Sequence, residues 1–144
     1  MSIKLNIDVD ISEAMRDLEA MSLRATNFRP VFWYARAELE LANAANFTAH
    51  GLPSGGWAPR TQAYAWPIMR RTGALFSSLT SLRGAPNDIG RTQAIFGTNV
   101  EYAQFHQNGT FKLPKRLVVF EPVGFAERVA RVAGDYVAHG VLPD

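Results

Sequence analysis

His106 is the residue of this chain best suited to acid–base work: it shares a helical turn with Tyr102 and Phe105 and lies near Glu101, Gln107 and Lys112. An imidazole titrates close to neutral pH, but as a general base it needs a nucleophile to activate and a group to orient it. No serine stands in a strained nucleophile elbow. The residue types therefore fit a structural histidine that bonds a neighbouring loop carbonyl better than a catalytic one. His50 and His139 each fall in the last turn of an expected helix, where the dipole favours a cation, and capping accounts for them.

Other chemistries fail on spacing. HxxxH, HExxH and DxDxDG are all missing, so no metal site is expected. With no cysteine there is no disulfide, no thiolate nucleophile and no cysteine-ligated zinc. The carboxylate pairs Asp8/Asp10 and Glu38/Glu40 have i,i+2 spacing on solvent-facing positions, and Glu121/Glu127 spans a helix start, so solubility and capping explain them. The glycine runs GLPSGG and GAPNDIG lack the lysine and the preceding buried strand of a phosphate loop. No cofactor is expected.

What remains is aromatic and basic. Trp57, Tyr64 and Trp66 stand near Arg60, Arg70 and Arg71, a set that could stack bases as single-strand binders do. The same residue types are enriched at protein interfaces, and a loop that offers them without an alternating sheet platform reads as a docking arm. The net charge is only +2. Its distribution is uneven: residues 60–116 carry eight basic groups against Asp88 and Glu101, and both flanks are net acidic. Such a segment could line a surface that passes DNA without reading it, or be a solvated basic face.

These residues must be held by a modest core. The 144 residues, 47% of them apolar, suit one domain over 1–144. The start MSIKLNIDVD alternates and is charged, and no run of about 18 apolar residues occurs, so a soluble protein made in the cytoplasm is expected, without a membrane partner. Ile3, Leu5, Ile7 and Val9 alternate as in a half-buried strand. Asp10 with Glu13 marks a capped helix over about 11–24, and Asn27 and Pro30 open a longer one that runs to Gly51 and Pro53. That second helix is apolar most of the way round, and the last helix, expected from Glu121 to His139, carries one apolar stripe of Phe125, Val129, Val132 and Tyr136 and a second, smaller one of Val123, Ala126, Ala130, Ala133 and Val137. Helices of this kind need cover on two sides, from another subunit or from packing within the monomer. Between them the spacing predicts a loop over about 51–66, a helix from Pro67 kinked at Gly73, a hairpin through 78–84 and 92–98, a short helix from Glu101 to Gln107 capped by Asn99, and a strand over 116–120. The fold class is α+β: a small, mainly antiparallel sheet over roughly 3–9, 78–84, 92–98 and 116–120, packed by two N-terminal helices and a C-terminal helix.

From Gly56 to Phe120 the chain resembles the phage virion morphogenesis proteins, the tail-completion family of tailed phages. The resemblance rests on Gly56-Trp57-Ala58-Pro59, on Ile68-Met69-Arg70-Arg71-Thr72-Gly73-Ala74-Leu75 with Ser78, on Phe96-Gly97-Thr98-Asn99-Val100-Glu101-Tyr102-Ala103 followed by His106-Gln107 and Gly109, and on Pro114-Lys115-Arg116. Where family members usually continue with Pro-Phe, this chain has Leu117 and Val118, and its linker from Thr61 to Pro67 is shorter than in many relatives. The resemblance implies a non-enzymatic part of the virion, in the neck or tail. There it would form a homo-oligomeric ring that helps complete the tail and join it to the head around the DNA passage, against neck, connector or tail-tube proteins. On that reading Trp57, Tyr64, Trp66, Tyr102, Phe105, His106, Phe111 and Arg116 are the candidate subunit or ring contacts. Arg60, Arg70, Arg71, Arg83, Lys112 and Lys115 are the candidates for facing DNA. Other readings are a tail terminator or other head–tail connector ring, a DNA-binding module, and a small basic nucleic-acid-processing enzyme using His106.

Overall fold

Pro30, with its preset φ and missing N–H, sits in the first turn of the longest helix. The computed structural model describes residues 4–144. Helix α1 spans Ser12–Arg24 and α2 spans Arg29–Thr48. After a 3-10 turn at Leu52–Ser54 come α3 (Ala74–Thr80), strands β1 (Asp88–Ile89) and β2 (Ala94–Ile95), α4 (Ala103–Asn108) and α5 (Phe125–His139). The α+β class with a small antiparallel sheet holds: β1 and β2 pair antiparallel, Asp88 opposite Ile95 and Ile89 opposite Ala94.

The sheet is smaller than expected and lies elsewhere. Ile3 lies outside the described residues, and Leu5, Ile7 and Val9 are exposed in an unpaired segment before α1. Alternation fits a strand but supplies no partner for it. Residues 78–80 are helical, and of 92–98 only Ala94–Ile95 form a ladder. Residues 116–120 join no strand; the side chain of Gln107 takes a partner strand's place there. Its Oε1 accepts from the Val118 and Val119 N–H groups at 2.9 and 3.0 Å, and its Nε2 donates to the Val119 carbonyl at 2.6 Å.

Helix boundaries shift for local reasons. Pro67 opens only a turn, closed by Arg70 N–H to the Pro67 carbonyl at 3.1 Å. Met69 then takes φ +63° and Gly73 φ +77°, so α3 cannot start before Ala74. Thr72 Oγ1 accepts from the Ala74 N–H at 3.3 Å, while Ser78 and Thr80 donate back to the Leu75 and Phe76 carbonyls. In front of α4 the Val100 N–H is taken by Thr98 Oγ1 at 3.2 Å rather than by Asn99. Ile11, not Asp10, is the N-cap of α1, and no bond from Glu13 closes a capping box; the Asp10 carboxylate instead accepts the N–H of Ser12, the first helical residue, at 2.9 Å.

The main core lies between α2, α3 and the irregular segments that cross them. Phe47 meets Trp57 and Phe76 edge-on, each at 5.3 Å between ring centroids. Ile68, Leu75, Leu79, Leu82, Ala103 and Val118 complete the cluster. Two buried asparagines of α2 bind it to the loops: Asn43 donates to the Leu79 carbonyl at 2.8 Å, and Asn46 to that of Leu117 at 3.2 Å. The Leu117 carbonyl also accepts from Ser54 Oγ at 3.1 Å and Trp57 Nε1 at 2.7 Å.

Helix α5 packs on α2 and α1. Glu38 of α2 accepts from Tyr34 at 2.6 Å and from Arg128 of α5 at 2.9 Å, and these bonds, Tyr34's above all, hold its carboxyl below the usual range. Arg24, in the last turn of α1, donates to the Val137 and Ala138 carbonyls at 2.8 and 3.0 Å, satisfying the open end of α5. Beyond that anchor α1 buries no residue, and Ile11, Met15 and Leu18 stand exposed along it.

Candidate interaction surface

The aromatic loop and the segment around His106 meet at one cavity of about 600 Å³, walled by residues from 59–72 and 102–116. Tyr64 and Trp66 stack at 4.7 Å with 21° between their planes. Guanidinium groups flank the pair, Arg60 lying 5.6 Å from the Tyr64 ring centroid and Arg71 5.4 Å from that of Trp66. Arg60 also donates to the Trp66 carbonyl at 2.8 Å, which fixes the turn that presents both rings.

Arg116 anchors the opposite wall. It is almost fully buried, and its guanidinium donates to the Ala58 carbonyl at 2.8 Å and the Pro59 carbonyl at 3.1 Å. Its backbone N–H bonds the His106 carbonyl at 2.7 Å, so the same residue fastens the end of α4 to the loop after Trp57. Burial, with Arg60 nearby, lowers its pKa from the ordinary value. His106 lines the cavity edge-on to Tyr102. Burial first, then the charge of Arg116, pushes its pKa down and favours the neutral ring. Its Nδ1 is shielded from solvent and has no hydrogen-bond partner, which corrects the expectation of a bond to a loop carbonyl: it is the backbone of His106, not the ring, that ties the loop. Arg60 Nη1 is likewise shielded and unpartnered. Four cations, Arg60, Arg71, Lys112 and Arg116, line the cavity without a carboxylate among them.

The remaining candidates divide between core and surface. Trp57 is 8% exposed and belongs to the core, so it and Arg116 serve the chain's own packing. Tyr64, Tyr102 and Phe105 are about half exposed, and Phe111 stands out at 95%. Arg70 covers the face of Phe76 at 3.7 Å, on the core side of the loop. Arg83 and Lys115 are exposed and lie outside the cavity.

An open apolar groove of about 710 Å³ runs between α2, α5 and the segments flanking β2, with Phe28, Phe32, Leu39, Phe96, Phe125 and Val129 among its walls. The apolar residues on more than one face of α2 and the second stripe of α5 were its signal; Val31, Leu79 and Leu82 on its floor are buried, whereas Phe28, Phe32, Phe125 and Val129 are only partly covered. Among the described residues no group of three or more His, Cys, Asp or Glu could hold a metal ion, and no helix is long and apolar enough to cross a membrane.

Searches of curated proteins and of solved structures yield no match. The model of the phage virion morphogenesis family matches residues 9–134, a span that takes in the α1 helix, the cavity and most of α5. With residues 9–134 of the 144 covered by that match, the chain belongs to the phage virion morphogenesis family.

Proposed function

We propose that this chain is a structural component of the neck or tail of a tailed phage. It assembles as a homo-oligomeric ring that helps complete the tail and join it to the head around the DNA passage. Membership of the virion morphogenesis family is the observation that carries a role in the virion. The ring is supported by apolar surface that one copy leaves uncovered: α1 with no buried residue, the groove between α2 and α5, and exposed Trp33 and Leu41 on α2. Exposed Tyr64, Tyr102, Phe105 and Phe111 are the further candidates for contacts with neighbouring subunits or with neck, connector and tail-tube proteins. Arg83 and Lys115, exposed and outside the cavity, are the cations best suited to face passing DNA.

The geometry at His106 argues against a hydrolytic use. Its Nδ1 has no acceptor to fix the tautomer, and the charged groups beside it are cations that disfavour the imidazolium a general base must become. The test is the mass of the purified protein by mass photometry, alone and mixed with neck and tail-tube proteins of the same phage. A defined oligomer of several copies is expected. A protein that remains monomeric in both conditions removes the ring.

A further inference from the structure

The exposed N-terminal arm and the basic cavity complement each other in charge and in apolar content. Residues 4–19 carry Lys4 and Arg16 against Asp8, Asp10, Glu13, Asp17 and Glu19, a net charge of −3. Ile11, Met15 and Leu18 fall at i, i+4 and i+7, the anchor spacing of a helix that lies in a groove, and all three are exposed. Helix α1 has no fully buried residue and is held only at its C-terminal end, through Arg24 and the partly buried Ala20 and Met21, so the face that carries Ile11, Met15 and Leu18 is free for a partner surface.

The cavity offers the opposite set. It has four cations and no carboxylate among its lining residues, with Tyr64, Trp66, Met69 and Leu113 as apolar wall. Arg60 Nη1 and His106 Nδ1 in its wall are shielded from solvent and have no hydrogen-bond partner, so no carboxylate of the chain itself neutralises the cations there. The apolar groove between α2 and α5 is a poorer match, because its walls include Glu121 and no cation. Arm and cavity also share no element: the cavity draws on residues 59–72 and 102–116 alone. A contact between two different patches of identical chains is head-to-tail, the kind that closes into a ring when the rotation permits.

We propose that residues 4–19 of one copy dock in the Arg60–Arg116 cavity of the next, with the Ile11, Met15 and Leu18 stripe on the aromatic wall and the arm's carboxylates toward Arg71 and Lys112. This rests on the ring reading and names the surfaces that build it. It assigns the cavity to protein rather than to DNA.

Because the chain has no cysteine, a single engineered pair reports the contact without background. Met15→Cys with Leu113→Cys, treated with a short bismaleimide, is expected to give a ladder of covalent oligomers. Met15→Cys with Ala130→Cys, which would report docking in the apolar groove, is expected to give none. Charge reversal supplies the second arm of the test. Glu13→Lys with Asp17→Lys, and separately Arg71→Glu with Lys112→Glu, should each weaken assembly at least tenfold, and the chain carrying all four should regain it. These positions are exposed, so circular dichroism should stay that of the parent. A ring that forms without the Met15–Leu113 link, or with the Met15–Ala130 link instead, overturns this inference and leaves the ring intact. A wild-type chain that never assembles removes the ring itself. If Arg71→Glu with Lys112→Glu assembles normally but loses affinity for a short DNA duplex, the cavity is a DNA site and the inference is wrong.

Discussion

A Cβ on Gly51 would fall 2.1 Å from Cδ1 of Trp57, and Gly51 holds φ +81°. The closure of α2 and the seating of the indole thus depend on one missing side chain. The Gly51 N–H caps the helix at the Asn46 carbonyl, 2.7 Å away, while its carbonyl accepts from Gly56 and Ser54. Gly51→Ala should therefore combine a left-handed backbone penalty with overpacking against a core ring, lowering stability by about 2–4 kcal/mol. Gly55→Ala and Gly56→Ala also face positive φ but meet nothing within 4 Å, and should lose only about 1 kcal/mol each. Urea midpoints of the three variants give the comparison; equal losses would mean that the indole moves aside.

Gln107 replaces a strand for the segment after Arg116. Its amide serves two N–H groups and one carbonyl of Val118 and Val119, and Val118 is completely buried. Gln107→Ala should leave the Val118 N–H without an acceptor and reduce stability by about 1–3 kcal/mol. Gln107→Glu keeps an oxygen to accept from both N–H groups but sets its other oxygen against the Val119 carbonyl in place of the donor, so it should fall between the parent and the alanine variant. Amide exchange at Val118 and Val119 would read the difference directly, and protection unchanged in Gln107→Ala would refute the strap.

The same residue explains what the sequence could and could not disclose. Helices α1, α2 and α5 were legible because Asp10, Pro30, Gly51 and Gly140 punctuate long periodic runs. The stretch LPKRLVVF has strand composition, yet its backbone partners are side chains: Gln107 on one side, and Asn46, Ser54 and Trp57 around the Leu117 carbonyl. Composition records that a segment is extended and buried, not which groups satisfy it. Helix α3 is seven residues long, too short for its period to separate from a strand's, and the positive φ of Met69 has no marker in its residue type. Of the candidate interface residues, Trp57 and Arg116 were chosen for types that interfaces and cores both use; burial alone tells the two uses apart.

Arg116 holds two carbonyls with a planar fork, Nε on Ala58 and Nη2 on Pro59. A lysine amine cannot reproduce that geometry, and its strongly hydrated charge would be buried in the fork's place. Arg116→Lys should thus lose about 1.5–3 kcal/mol, close to the loss in Arg116→Ala rather than to the parent. Thermal unfolding of both variants checks it. A lysine variant as stable as the parent would mean that charge, not the fork, holds the loop.

His106 makes stability depend on pH in a defined window. Burial and Arg116 lower its pKa in the folded chain below the ordinary 6.5, so the unfolded chain binds the proton more readily. Above about pH 6.5 the ring is neutral in both states and contributes no pH dependence. As the pH falls below that value, protons favour the unfolded state, and stability should decline until the folded ring titrates as well. Tyr102 and Arg116 face the ring, and the guanidinium of Arg116 keeps its charge in this range, whereas the lowered carboxyl of Glu38 acts only at more acidic pH. His106→Gln should accordingly flatten the stability profile just below about pH 6.5 while leaving the steeper acid limb in place. Denaturant titrations at half-unit intervals measure both slopes, and a variant whose profile runs parallel to the parent's through that window would show that the ring is solvated in both states.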